Sequence, residues 1–281
     1  MPEITLSPAQ MALGRNLLPP GAMKPRLSAA KLIPRSDWYT TEYLKQFVPR
    51  GKCQFNQPSC NSYATGKAYQ TKYAQIVGKA GFVRPVSYSA LHQEITGGNM
   101  DEGSSPLDSI RLNQEKGLRA ATQQLPEWYS SPHQLASNDT TRLLQRADEW
   151  EDCPSGAYIV SAVLAMQPCD FGMWWCEGDV NAANGELTMN PGRKLGGHAL
   201  VACGVVMGYK NSPSGVGILL NNHHGDSQTP SQTDERGNSI RAGIWGNDGF
   251  GIVPIERLDT DVPSFGAFAL RSVYVNDEDL V

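Results

Sequence analysis

This 281-residue chain lacks an excess of charge of either sign: 24 Lys and Arg stand against 28 Asp and Glu, a net charge of −4. No stretch concentrates Lys and Arg, and phosphate binding needs a dense basic patch. Nucleic acid is therefore not expected as a partner. No apolar run reaches the ~20 residues of a membrane-spanning helix, so no membrane partner is expected either. Residues 1–30 contain no apolar core of about 7–15 residues of the kind a secretory signal carries, and the compartment leans intracellular. There is no internal repeat and no low-complexity tract. Six cysteines are present, at 53, 60, 153, 169, 176 and 203, but none pairs at the Cys-x-x-Cys spacing of a zinc site. A chain of this length can bury a core without disulfide staples, so most of the thiols are expected to be reduced. Cys169 and Cys176 are close enough in sequence to bridge a local loop.

What is present has a direction along the chain. Residues 1–31 carry Pro19, Pro20, Gly21 and Pro25 and read as an extended arm or short leader. Residues 32–152 read as a mainly helical lobe. Helical spacing is expected at 61–78, where Gly78 and Gly81 are stop signals, and at 87–95 before Gly97-Gly98. It is also expected at 104–116, with Pro106 in the first turn and Gly117 as the stop, and at 139–150. Residues 153–281 read as a mainly β lobe, with β-rich runs at 157–164, 198–206, 216–220, 249–255 and 267–275. The Gly-rich stretch with Trp174-Trp175 reads as a connection packed between lobes. Helices first and antiparallel-looking strands afterwards indicate an α+β fold with two lobes and a cleft between them.

Four residues on this frame carry chemistry. Cys60 falls in the first turn of the 61–78 helix, where the positive end of the helix dipole favours a thiolate. Gln54, six residues earlier, sits on the loop entering that helix and could aim its amide at the point faced by the Cys60 N–H. His198 opens an apolar run after Gly196-Gly197, 138 residues after Cys60. Asn222 closes a further apolar run. Singly, each has a plainer reading: a buried small thiol, a loop amide, a structural His, a strand-end Asn in a turn. Jointly they supply a nucleophile, a base, an orienting amide and an oxyanion donor, the parts of acyl transfer through a thioester. No cofactor and no metal are called for. His223 and His224 are adjacent, and neighbours in a strand point to opposite faces, so shared metal ligation is not expected.

The ordered segments resemble those of the papain-like (C1-type) cysteine peptidases. Ile33-Pro34 with Asp37-Trp38 resembles the entry to the mature domain. Gln54-Phe55-Asn56-Gln57-Pro58-Ser59-Cys60 resembles the segment from the oxyanion glutamine to the nucleophile. Glu102-Gly103-Ser104-Ser105-Pro106 resembles the substrate loop. Gly197-His198-Ala199-Leu200, Asn222-His223-His224-Gly225 and Trp245-Gly246-Asn247-Asp248-Gly249-Phe250 resemble the His, Asn and following Trp-Gly segments. The resemblance covers about residues 32–275.

This resemblance implies a helical left lobe, an antiparallel β-barrel-like right lobe and an active-site cleft between them. It implies a cysteine endopeptidase acting on a protein or peptide substrate, with Cys60, His198, Asn222 and Gln54 in the machinery and Gly103, Ser104 and Gly197 along the substrate. Two other readings accompany it: a cell-wall amidase or transpeptidase on the same scaffold, and a non-catalytic binding or structural module. The N-terminal arm could block the cleft and so inhibit the enzyme. The chain departs from the family pattern at four places. Gln57 stands where the family has a cysteine, and Asn61 stands where a Trp follows the nucleophile. Ser104 replaces the second loop glycine, and His223-His224 replaces Ser-Trp, altering the aromatic shield over the His–Asn hydrogen bond.

Overall fold

The computed structural model describes residues 3–6, 27–78, 83–135 and 147–273. Most of the Pro-rich arm, and Gly81, lie outside the described residues. Helix α1, Cys60–Val77, runs through the centre, and its first 15 residues are all buried. It ends at Gly78, whose φ of 72° is the left-handed geometry that glycine adopts without strain. Helix α2, Tyr88–Ile95, starts at Ser87, whose side chain accepts from the Ala90 N–H. Helix α3, Pro106–Lys116, starts at Ser105, which accepts from the Leu107 N–H, and stops at Gly117. These three helices match their sequence signals to within two residues. The α1–α2 contact is close: the Tyr63 and Tyr88 rings stack at 4.2 Å, and a Cβ on Gly66 would lie 2.7 Å from the Tyr88 ring.

The main sheet has seven strands: β2 (Leu27–Ala29), β3 (Ala147–Asp152), β4 (Cys169–Cys176), β5 (Lys194–Met207), β6 (Val216–Asn221), β9 (Phe250–Pro254) and β10 (Ala267–Val273). Their order across the sheet is β2-β3-β10-β4-β5-β6-β9, antiparallel except for β2 with β3. The edges are β2 and β9, and no pairing joins them among the described residues, so the expected barrel-like closure is not seen. A smaller sheet orders β1 (Glu3–Leu6), β8 (Ser239–Ala242) and β7 (Gln232–Thr233), with β1 parallel to β8.

Alternate residues of the same strands enter two different cores. Ala199, Val201, Phe268 and Leu270 pack with α1, α2 and α3. Leu200, Ala202, Ala267 and Ala269 pack with α4 (Gly156–Leu164) and α6 (Ile255–Phe265). Burial on both faces explains why β5 and β6 read as continuous apolar runs rather than alternating ones.

Several sequence expectations are corrected here. Residues 157–164 form helix α4, not a strand. A short, fully buried apolar run carries no period that separates helix from strand, and packing on the sheet decides it. The expected helix at 139–150 is in its last part strand β3, whose Trp150 is fully buried opposite Leu270 and Leu27; residues 136–146 lie outside the described residues. Pairing on both sides overrides the local pattern. Cys169–Cys176, read as a connection, is the strand beside β5, and all six cysteines are free. Helix α6 had no sequence expectation, because Pro263 and four charged residues mask its apolar face. A short helix α5, Glu177–Val180, follows β4. Among the described residues no helix is long and apolar enough to cross a membrane.

Candidate active site

Cys60 is the first residue of α1, after Ser59 at the cap position. N–H groups of a first helical turn have no intrahelical acceptor and carry the positive end of the dipole. The loop leading to it is tied to the strand segment after β6. Cys53 bridges to His224, and the Gln54 N–H donates to the His223 carbonyl at 2.9 Å. The Trp128 Nε1–H donates to the Gln54 carbonyl at 3.2 Å, and Phe55 packs on the Trp128 ring at 4.9 Å. Phe55 has φ 50°, a left-handed conformation costing roughly 1–2 kcal/mol for a residue with a Cβ. The Gln54 side chain is fully buried, and its Nε2 donates to the Gln57 carbonyl at 2.7 Å.

His198 lies on β5, fully buried, with Met173 opposite it on β4. Its Nε2 is 2.9 Å from Asn222 Oδ1. The amide of Asn222 is fixed in orientation: Oδ1 also accepts from the His223 N–H at 2.8 Å, and Nδ2 lies 3.2 Å from His224 Nδ1. His198 Nε2 is therefore the protonated nitrogen of the neutral ring. Rings enclose this pair. His224 stacks on His198 at 4.6 Å and 15°, Trp175 meets it edge-on at 4.7 Å, and Trp245 stands 5.5 Å behind Trp175. His223 and His224 lie past the end of β6, and both rings come within 5.0 Å of His198, so strand alternation does not separate them as expected. Tyr63, one turn after Cys60, lies 5.4 Å from the His223 ring and donates to the Cys53 carbonyl.

Asn61 links helix α1 to the expected substrate loop. Its Nδ2 lies 3.0 Å from Ser104 Oγ, 2.7 Å from the Ser105 carbonyl and 2.6 Å from Ser109 Oγ. Gly103, Ser104 and Gly197 are all buried. Arg50 braces the other side of the loop, donating to Asp226 at 3.0 Å and to Asp248 at 2.5 Å. Bonds from Ser227 and Arg50 hold the Asp248 carboxyl down to about 2. Burial pushes the thiols of Cys53 and Cys203 up to about 12 and that of Cys176 up to about 11. Among the described residues no group of three His, Cys, Asp or Glu is placed to hold a metal ion.

Sequence reasoning missed Trp175, because its strand was read as a connection, and Lys67, a cation among the small and polar residues of α1. The spacing of Lys67 from Cys60, two helical turns on the same face, was the available signal. Asn61 stood out as a departure from a pattern, but its partners are 43 to 48 residues away.

The chain matches no family profile and no curated protein. Solved structures do match. The digestive procathepsin L2 proteinase of Tenebrio molitor larval midgut superposes with a TM-score of 0.66 at 16% identity, covering 94% of this chain and 80% of that one. Procathepsin B from Trypanosoma congolense gives 0.64 at 14% identity over 96% and 90%. The proform of the ragweed pollen cysteine protease Amb a 11 gives 0.62 at 15% over 87% and 68%. The shared property is the fold.

Proposed function

With the fold of the papain-like cysteine peptidases as its premise, we propose that this chain hydrolyses peptide bonds through a thioester on Cys60. The observation that carries the reading is the His198 Nε2 contact to Asn222 Oδ1 at 2.9 Å inside a closed ring stack. With Nε2 engaged there, Nδ1 is the atom that exchanges a proton. His198 takes the proton of the Cys60 thiol, and the thiolate attacks the substrate carbonyl carbon. The oxyanion is held by the Cys60 N–H and the Gln54 side chain. His198 protonates the departing amine, and the C–N bond breaks to leave the thioester. It then deprotonates a water that attacks the thioester, releasing the acid and restoring the thiol. Asn222 keeps the imidazole in the working tautomer, and Trp175 and His224 keep water from that bond, which strengthens it. Gly103, Ser104 and Gly197 line the path of the substrate backbone.

The test is alkylation by an epoxide electrophile across pH, read by intact mass and peptide hydrolysis. Stoichiometric modification of Cys60 near or below pH 7 is expected, lost in His198→Ala, with hydrolysis abolished in Cys60→Ala. Hydrolysis that survives Cys60→Ala refutes the mechanism. A non-catalytic papain-like module is the second reading. It is favoured by the 1% exposure of Cys60 and by the engagement of Gln54 Nε2 with Gln57. Absence of labelling in the folded, reduced protein would select it.

The arm, residues 1–31, is assigned a self-inhibitory role. Its support is that β1 pairs with β8, whose Ile240 and Ala242 share a core with Cys60.

A further inference from the structure

Lys67 is fully buried on α1, two turns from Cys60 and on the same face of the helix. An apolar residue would fill this place at no electrostatic cost, whereas burying an ammonium costs several kcal/mol unless it is compensated. The compensation here is specific. Lys67 Nζ donates to the Asn222 carbonyl at 2.8 Å and to Asn221 Oδ1 at 2.6 Å. Asn221 Nδ2 in turn donates to the Gly249 carbonyl at 3.1 Å, and the same carbonyl accepts from the Asn222 N–H at 2.9 Å. The main chain of Asn222 is thus held at both ends, its N–H by Gly249 and its carbonyl by Lys67. Only two side-chain torsions remain between that fixed backbone and the Oδ1 that meets His198.

We propose that Lys67 is a positioning residue for the reaction assigned above. It locks the Asn222 backbone so that Oδ1 stays aligned on His198 Nε2, and it ties the helix that bears the thiol to the strand end that bears the amide. This inference rests on the peptidase reading. The charged and titratable groups around the ammonium come from two segments. Asp226 follows the histidine pair, and Arg50, Lys52 and Cys53 precede α1. Burial pushes the ammonium down to about 7, against Asp226, which pulls it up. The neutral amine keeps two N–H groups, so both hydrogen bonds survive loss of the proton.

The experiment pairs a double-mutant cycle with NMR of the His198 ring, using full-length protein. Lys67→Met keeps the stem and removes the donor. It is expected to lower kcat about tenfold with KM unchanged within about twofold, but to lower it by less than about twofold in an Asn222→Ala background. Exchange of the His198 Nε2 proton with solvent is expected to quicken about tenfold in Lys67→Met. Unchanged kcat and exchange in Lys67→Met, or an equal loss of kcat in the Asn222→Ala background, would overturn the proposal. Lys67→Gln serves as the second variant, and failure of both variants to fold would likewise overturn it, because the role would then be packing. A wild type that does not hydrolyse peptides but shows the exchange effect would break the peptidase reading while leaving the positioning role intact.

Discussion

Helices α1 and α4 lie on opposite faces of one sheet, and both are buried, yet they are built from different chemistry. Helix α4 is Gly-Ala-Tyr-Ile-Val-Ser-Ala-Val-Leu, and its burial is almost wholly apolar. Helix α1 buries Asn61, Thr65, Lys67, Gln70, Thr71 and Lys72, and each has a named partner outside its own turn or along the helix. Apolar burial of about 25 cal/mol per Å² stabilises without specifying orientation. Hydrogen-bonded burial contributes little net stability, but it is costly to break and it fixes geometry. Helix α1 carries hydrogen-bonded contacts beside Cys60, and α4 supplies apolar packing. The Trp175 ring set against His198, with Trp245 behind it, comes from the core on the α4 side.

The contrast can be broken most forcefully on the apolar side. Ile159→Ala in α4 is expected to cost about 2–5 kcal/mol in denaturant unfolding, with kcat at 25 °C unchanged within about twofold. A loss of kcat in the folded variant would show that α4 does more than hold the sheet.

A second test concerns Asp170, which is fully buried and accepts from Thr65 Oγ1 at 2.7 Å. Burial raises its carboxyl from 3.8 to about 7, against the Thr65 bond. The folded state therefore holds a proton that the unfolded state has released between pH about 4 and 7, and stability falls as pH rises through that window. Asp170→Asn should remove this fall and stabilise the protein at pH 8 by on the order of 4 kcal/mol. His92, lowered from 6.5 to about 4 by burial, slopes the other way. The difference between wild type and variant, followed by urea midpoints across pH, isolates Asp170. No pH dependence in that difference would mean that Asp170 is ionised in the fold.

On the polar side, Asn61→Ala should cost about 1–2 kcal/mol and raise KM severalfold, because the Gly103–Ser104 loop loses its tie to α1. A change in stability alone would separate that loop from the substrate. The smallest effect is expected from deleting residues 2–26, which removes β1 and should raise the rate of Cys60 alkylation a fewfold. An unchanged rate would remove the arm from regulation.

Much of the scaffold was legible locally. Ser87, Ser105, Pro106, Gly78 and Gly117 mark helix ends by capping chemistry that acts within four residues, and those helices appear where expected. Strands β5, β6 and β9 were legible as apolar runs between turns. Helix α4 and strand β4 were not, since a buried run of eight or nine residues fits either element until its neighbours are placed, and neither was β3, which is set by its pairing with β2 and β10.

The amino-acid sequence by itself determined the elements whose signals are short-range, and the order in which Cys60, His198 and Asn222 occur. The tertiary structure alone decided what surrounds them: Trp175 edge-on to His198 from the adjacent strand, Asn61 reaching Ser109, and Lys67 holding Asn222 from 155 residues away. These contacts join residues far apart in the chain. Their energies arise only when the two sides are brought together and water is removed, so no local pattern in the sequence encodes them.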